Sequence, residues 1–353
     1  MTFLPSAIPL IQAPMAGAQG PDLAIAICRP GGLGSLPAAM LTPDRLREQI
    51  AAVRQATNAP FNVNFFCHVE PAPNPEAEAR WRKRLAPYYE EAGIDPSAIP
   101  AGPVRAPFSD QLCAVIEETR PAVVSFHFGL PAAALLSRVK ATGALVLSSA
   151  TTVAEARWLE QKGADVIIAQ GREAGGHRGM FLSDDIDAQP GLIALLPQVR
   201  DAVRLPVAAA GGISDGRGIA AAFALGADAV QIGTAYLRTP EATISPMHRA
   251  ALASARDDAT RLTNVFTGRP ARGLVNRFVA EVGPMCDDAP KFPLAADAAA
   301  PLRSAAEKRD SSDFSPLWAG EAAALAREEG AEALTRRLWA EGEAAMSAIG
   351  RRG

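Results

Sequence analysis

Histidine and cysteine are scarce in this chain, four of each in 353 residues, and aromatic residues make up only 6%. The cysteines, Cys28, Cys67, Cys113 and Cys286, stand far apart, with no C-x-x-C pair and no histidine at ligand spacing. That argues against both a disulfide framework and a structural zinc. Net charge is nearly absent too: 35 basic and 38 acidic residues leave −3, so no global field favours nucleic acid, an anionic membrane or a polybasic partner. No run approaches the roughly 18 to 20 apolar residues that a spanning helix needs. The first charged residue is Asp22 and the first basic one Arg29, so the apolar start has no positive n-region, and Pro5, Pro9 and Pro14 interrupt it. The expectation is a cytoplasmic protein that recognises its partners locally. With 48% hydrophobic residues, the length suffices for one large barrel with additions or for two ordinary domains.

What is present is alternation. Short apolar runs at Ile8–Gln12, Gly32–Leu36, Phe61–Phe65, Val123–Phe128, Leu145–Ser149, Val166–Gln170, Val207–Ala210 and Val230–Gly233 are each followed by a punctuated loop and an Ala-rich helical stretch. Eight such units predict an α/β fold of the closed (β/α)8 TIM-barrel type, with a doubly wound open sheet as the competing architecture. Gly143, Gly163 and Gly226 sit where helices should end before strands. The stretch Gly163-Ala164-Asp165-Val166 echoes Gly226-Ala227-Asp228-Ala229-Val230, as two corners of one barrel would. Two segments break the pattern. Between Glu70 and Phe108 lies the run Arg80-Trp81-Arg82-Lys83-Arg84, which flanking glutamates mark as the solvated face of a helix rather than a nucleic-acid patch. The second break runs over 239–316. The expected division is a barrel over 1–238, an accessory subdomain over 239–316 covering the active site, and a helical segment over 317–353 returning to the barrel.

In such a barrel the chemistry sits on loops at the carboxyl ends of the strands. The third run ends Asn62-Val63-Asn64-Phe65-Phe66 and the fourth Ser125-Phe126-His127-Phe128-Gly129. After the sixth comes Gln170-Gly171-Arg172-Glu173-Ala174-Gly175-Gly176-His177. The paired glycines let backbone approach a flat ligand, and His177 follows them at the mouth, where imidazole can act as acid or base. His127 suits either a substrate contact or a hydrogen-bonded core position; His68 and His248 have no comparable setting. Gly211-Gly212 after the seventh run and Gln231-Ile232-Gly233-Thr234 at the end of the eighth occupy the two positions that barrels use for phosphate, with a helix start nearby. No G-x-x-x-x-G-K-[ST], G-x-S-x-G or H-E-x-x-H occurs, and Gly31-Gly32-Leu33-Gly34 is not a full dinucleotide fingerprint. The residues alone predict a barrel enzyme with a phosphate-bearing ligand and one histidine acid or base.

These segments, with Ile11-Gln12-Ala13-Pro14-Met15 and the Asp215-Gly216-Arg217-Gly218 that follows Gly211-Gly212, resemble the nitronate monooxygenases, formerly 2-nitropropane dioxygenases, of the class I kind. Glu173-Ala174-Gly175-Gly176-His177 by itself also resembles FMN-dependent enoyl-acyl-carrier-protein reductases. The resemblance implies an FMN-dependent enzyme that oxidises alkyl nitronates, such as propionate 3-nitronate, with O2 to a carbonyl compound and nitrite through a flavin semiquinone. It implies that Asn64, Gln170, Gly175, Gly176, Gly211, Gly212, Gln231, Ile232, Gly233 and Thr234 hold FMN with Met15 near the rings. His177 would be the catalytic residue and His127 part of the substrate pocket. No metal is implied. The expected partners are a small nitronate and O2, and a homo-oligomer stays open. The alternative is an NAD(P)H-dependent FMN reductase of quinones or enoyl thioesters on the same barrel. Two departures bear on substrate: after Tyr236 there is no tyrosine and only Lys291 and Lys308 as lysines, and Glu321 follows Leu317-Trp318-Ala319-Gly320 where the family pattern leads one to expect glutamine.

Overall fold

A computed structural model describes residues 3–96 and 106–350. Its strands, in chain order, are β1 (Leu10–Gln12), β2 (Gly34–Pro37), β3 (Phe61–Phe66), β4 (Val123–His127), β5 (Leu145–Ala150), β6 (Val166–Gln170), β7 (Gly176–His177), β8 (Val207–Ala210), β9 (Ala229–Ile232), β10 (Thr260–Thr263) and β11 (Ala271–Leu274). Eight of them form one parallel sheet in the order β1-β9-β8-β6-β5-β4-β3-β2. A parallel bridge between Ile11 and Leu33 joins its two ends, with Leu33 N donating to Leu10 O at 2.8 Å and Gln12 N to Leu33 O at 2.9 Å. The result is a TIM barrel, and the open sheet is excluded by that closure.

All eight expected strands are present, with ends shifted where backbone geometry intervenes. The fourth stops at His127 because Phe128 takes φ +70°, outside the extended region. The eighth stops at Ile232 because Gly233 turns into a 3-10 segment, Thr234–Arg238. The Gly-Ala-Asp echo has a physical basis. Asp165 N donates to Val146 O while its carboxylate accepts from Val146 N, both pinning the corner to the preceding strand. Asp228 does the same to Val207. Each aspartate thereby completes the edge of a strand where the ladder alone would leave a donor and an acceptor open.

Ile11, Leu33, Val123, Leu147, Val166, Ile168, Ala208, Ala210 and Ala229 fill the barrel interior with Leu4, while alternate residues of the same strands pack outward on the helices. A separate apolar cluster joins Trp81, Leu85 and Tyr89 of the helix Pro75–Ala92 to Val265, Phe266, Phe278, Ala295, Ala298, Leu302 and Phe314. Trp81 Nε1 donates to Ala295 O at 3.1 Å and Tyr89 Oη to Ala298 O at 2.7 Å. The two segments that interrupt the sequence pattern therefore share one core, and Arg80, Lys83 and Arg84 lie on its solvated side. Residues 97–105 of the first interruption lie outside the described residues. The final helix, Ala331–Gly350, packs on the barrel helix Gly216–Ala224, with Tyr236 Oη 2.9 Å from Thr335 Oγ1.

Candidate active site

A cavity of about 770 Å3 opens at the carboxyl ends of the barrel strands. Met15, Asn64, His127, Gln170, Gly175, Gly176, His177, Gly211, Gly212, Gln231, Gly233 and Thr234 all border it. Ile232 does not. A strand places successive side chains on opposite faces, so Gln231 and Gly233 face the lumen while Ile232, 1% exposed, packs outward with Ile219 and Leu334 in the helix layer. Of the run 231–234, the Ile232 side chain is therefore the one that points away from the cavity.

The His177 loop is held by main-chain groups rather than by its ring. β7 is only two residues long, but it pairs antiparallel with β11, Ala271 opposite His177 and Arg272 opposite Gly176, and β11 pairs with β10. The His177 carbonyl accepts from Gln170 Nε2 at 3.0 Å and faces His127 Nε2 at 3.1 Å. Gly179 N donates to Gln170 Oε1 at 2.7 Å. Arg178 is fully buried beneath the loop, donating to Gln170 O, Gly171 O and Gln189 Oε1. The His177 ring sits among Phe66, Phe128, Phe292 and Trp318, with centroids 5.3 Å from Phe292 and 5.4 Å from Trp318. Its Nε2 lies 2.9 Å from Thr267 Oγ1, within hydrogen-bonding distance.

His127 borders the cavity and is also built into the wall. Its Nε2 faces a carbonyl and so carries the proton, and Nδ1 accepts from Ser149 Oγ at 3.0 Å. Burial pushes its pKa from 6.5 down to about 4, against the opposing pull of the His177 carbonyl, so the ring is neutral near pH 7. His248, which the sequence offered no reason to select, also lies on the cavity wall, and burial likewise takes it to about 4. A depressed histidine pKa means that between about 4 and 6.5 the unfolded chain binds a proton that the folded chain does not. Stability contributed in this way is present above 6.5 and is lost as pH falls, by up to about 1.4 kcal/mol per pH unit for each ring. Urea unfolding across that range should show this slope in the wild type and a slope smaller by one proton in His127→Asn. An unchanged slope in the variant would show that His127 is protonated in the folded protein.

The opposite end of the cavity is made of backbone. Gly211 and Gly212 take φ +112° and +70°, a geometry that turns their peptide groups toward the cavity and disfavours any side chain. Among the described residues, the amides of Gly212, Ile213 and Ser214 donate to no protein acceptor. The start of the following helix is occupied by its own cap: Asp215 accepts from Arg217 N at 2.9 Å and Gly218 N at 3.2 Å. Its carboxylate competes with any anion for that helix end, so the anion-ready donors are the loop amides that the glycines expose, with less from the adjoining helix start than the sequence led one to expect. Among the described residues, the buried Gln231 Oε1 has no hydrogen-bond partner. On the cavity floor Asn64 donates Nδ2 to Ser125 Oγ at 2.9 Å, within a run of buried amides and hydroxyls that includes Asn62, Ser35 and Gln12.

The chain's last segment closes this end. Gly320 N donates to Thr234 Oγ1 at 2.9 Å and Glu321 N to Glu173 O at 3.0 Å. A Cβ on Gly175 would lie 2.6 Å from Gly320 N and 2.7 Å from Ala319 C, so only glycine lets the two backbones touch. Gly175→Ala is expected to cost about 2 kcal/mol by forcing them apart, the usual scale for overpacking. Thermal unfolding measures it, and an unperturbed melt would refute the contact. Glu321, the departure from the expected glutamine, has a partner: its Oε1 lies 2.9 Å from Nη2 of Arg272, whose side chain is buried and also donates to Arg172 O and Thr260 Oγ1. The carboxylate thus meets a cation that burial disfavours. Lys291 pairs with Asp184 outside the cavity at 3.7 Å, and neither it nor Lys308 borders the cavity. No local pattern marks Thr267, Phe292 or Trp318 as neighbours of His177, since they arrive from 90 or more residues away.

The profile of the family described as nitronate monooxygenase matches residues 1–341. A protein named nitronate monooxygenase from Pseudomonas aeruginosa is 44% identical over 332 residues, covering 94% of this chain and 95% of that protein. The crystal structure of a nitroalkane oxidase from Streptomyces ansochromogenes superposes with a TM-score of 0.88 at 43% identity, covering 98% of both chains. FabK from Thermotoga maritima superposes with a TM-score of 0.76 at 27% identity, covering 99% of this chain and 96% of that one. Among the described residues no group of histidine, cysteine and acidic side chains could hold a metal ion, and no helix is long and apolar enough to cross a membrane.

Proposed function

Because the chain belongs to the nitronate monooxygenase family and is a flavin-dependent oxidoreductase, we propose that it binds FMN and oxidises alkyl nitronates with O2, releasing nitrite and a carbonyl compound. The observation that carries this reading is one cavity with a histidine in an aromatic wall at one end and unengaged loop amides at the other. FMN fits the residues present: the amides of Gly212–Ser214 suit its phosphate, and the orphan Gln231 Oε1 offers an acceptor for its hydroxyl or imide donors. Asn64, Gln170, Gly175, Gly176, Gly211, Gly233 and Thr234 would complete its surroundings, with Met15 beside Gly233. In this reading residues 1–238 form the FMN-binding barrel, 239–316 the cover over its mouth and 317–353 the segment that returns to its wall.

When bound, FMN supplies the redox chemistry between substrate and O2. The chain supplies position and field. A nitronate carries its charge on the nitro oxygens, and the His177 imidazole, anchored through Nε2 to Thr267, would bind and orient it by hydrogen bonding or, when neutral, remove the α-proton of a nitroalkane. His127 and Gln170 hold the His177 carbonyl and thereby set the ring's origin. Phe66, Phe128, Phe292 and Trp318 keep water from the reacting carbon.

The holoprotein should be mixed anaerobically with propionate 3-nitronate and, separately, with NADH and NADPH, before O2 is admitted. A flavin absorbance change with the nitronate, followed by O2 uptake and nitrite release, supports the proposal. The likeness to FabK favours a second reading, an NAD(P)H-dependent reductase on the same barrel. Full bleaching by a nicotinamide with no response to nitronate would select it.

A further inference from the structure

The cavity does not end at His177 or at the proposed phosphate loops. It runs on past Met15 and Ala18 to a polar patch made by Ser245, His248, Arg303, Glu307 and Ser315, to which the preceding chemistry assigns no role. Its position relative to His177 follows from Trp318. The indole lies 5.4 Å from the His177 ring, and the Trp318 backbone stands against His248, which in turn feels the charge of Arg303.

Arg303 is the informative residue. It lies on the helix Ala295–Glu307, with a side chain 50% exposed and bordering the cavity. Its Nε donates to Glu307 Oε1 at 2.7 Å, and that carboxylate is itself held by Ser315 Oγ at 2.8 Å, so the guanidinium is oriented. Its two Nη groups donate to nothing among the described residues. Opposite it the helix Pro246–Ala253 begins at Ser245, whose side chain caps His248 N, and Ser245, Met247 and His248 all border the cavity. His248 is 7% exposed and hydrogen-bonded to the Trp318 backbone, and among the described residues its shielded Nε2 has no hydrogen-bond partner. A guanidinium whose Nε is tied to Glu307 while its Nη edge stays open, beside a helix start, can receive an anionic group through that edge. Glu307 and Ser315 fix the fork and leave its outward edge open.

We propose that this patch is a second substrate subsite, in which Arg303 binds a carboxylate at the far end of an extended nitronate, beyond Trp318 from the reacting carbon. Arg303 sets specificity for tail charge and length, and His177 has no part in that choice. The inference rests on the nitronate reading of the main site.

Two measurements separate the inference from that reading. In the first, the holoprotein is titrated with heptanoate and with its methyl ester, following the flavin spectrum. The acid should bind at least about tenfold more tightly than the ester, as a charge-assisted bidentate contact gives. Arg303→Ala should abolish the difference and Arg303→Lys should restore part of it, with melting temperatures confirming that both variants fold. In the second, kcat and KM are measured for propane-2-nitronate and for a series of ω-carboxyalkyl nitronates of increasing length. Arg303→Ala should raise KM about tenfold for the longer carboxylated substrates while leaving their kcat, and both constants for propane-2-nitronate, unchanged within about twofold. Equal binding of acid and ester, or a KM change that ignores the carboxylate, overturns the subsite. If no nitronate turns over at all, the reading of the main site fails, and the titration with acid and ester still decides the subsite.

Discussion

Replacing His177 with alanine is expected to leave a yellow protein of nearly wild-type stability and to lower kcat/KM for nitronates by roughly 10²- to 10⁴-fold, the range supplied by a positioned acid, base or charge-stabilising group. The flavin should stay because the loop does not depend on the imidazole. Its carbonyl is held by His127 and Gln170, its strand by Ala271, and Arg178 N donates to Pro270 O at 2.8 Å. What the substitution removes is the contact with Thr267 and the polar edge in an otherwise aromatic wall. The measurements are flavin content, nitrite release and O2 uptake. His177→Asn, which keeps a donor, should fall between alanine and wild type for preformed nitronates and should match alanine for neutral nitroalkanes, where a base is required. Wild-type turnover in the alanine variant would remove His177 from the mechanism.

The second large effect is on folding. Arg178→Met is expected to cost roughly 3 to 5 kcal/mol, because removing a fully buried guanidinium takes the donors from Gln170 O and Gln189 Oε1 at once and leaves Gly171 O with Ala174 N alone. Among the described residues no carboxylate pairs with the guanidinium directly. Its charge is met by the carbonyls of Gln170 and Gly171 and by Gln189 Oε1, and burial still takes its pKa down from the ordinary value to about 10. Those acceptors are the backbone of the turn that carries Gly175, Gly176 and His177. Urea unfolding should therefore report the loss together with weakened flavin retention. Arg178→Lys should recover only part of it, since one ammonium cannot span acceptors that the planar fork reaches together. A methionine variant within about 1 kcal/mol of wild type would show that the loop is held by other means.

Much of the site was legible because it follows strand ends. Gly175-Gly176-His177 and Gly211-Gly212 announce themselves as glycines where a barrel needs backbone near a ligand, and the structure brings them to one cavity. The outward side chain of Ile232 follows from a feature also present in the sequence, the alternation of strand faces. Arg178 was not legible as a buried strut, because arginine in a loop ordinarily reads as surface and only a cage of carbonyls makes its burial tolerable. His248 and Arg303 gave no sign either: each lies on an unremarkable helix, and neither carries a ligand-like spacing.

By itself the amino-acid sequence determined the α/β alternation, the eight barrel strands and the corners where Asp165 and Asp228 lock each strand to the one before it, since all of these rest on contacts between neighbouring units. Tertiary structure alone decided that the 70–108 and 239–316 segments share a core, that a two-residue strand binds the His177 loop to Ala271, and that Thr267, Phe292 and Trp318 surround the imidazole. The reason is sequence separation. Local periodicity encodes which face of an element is apolar, but it carries no information about which distant element will come to cover that face.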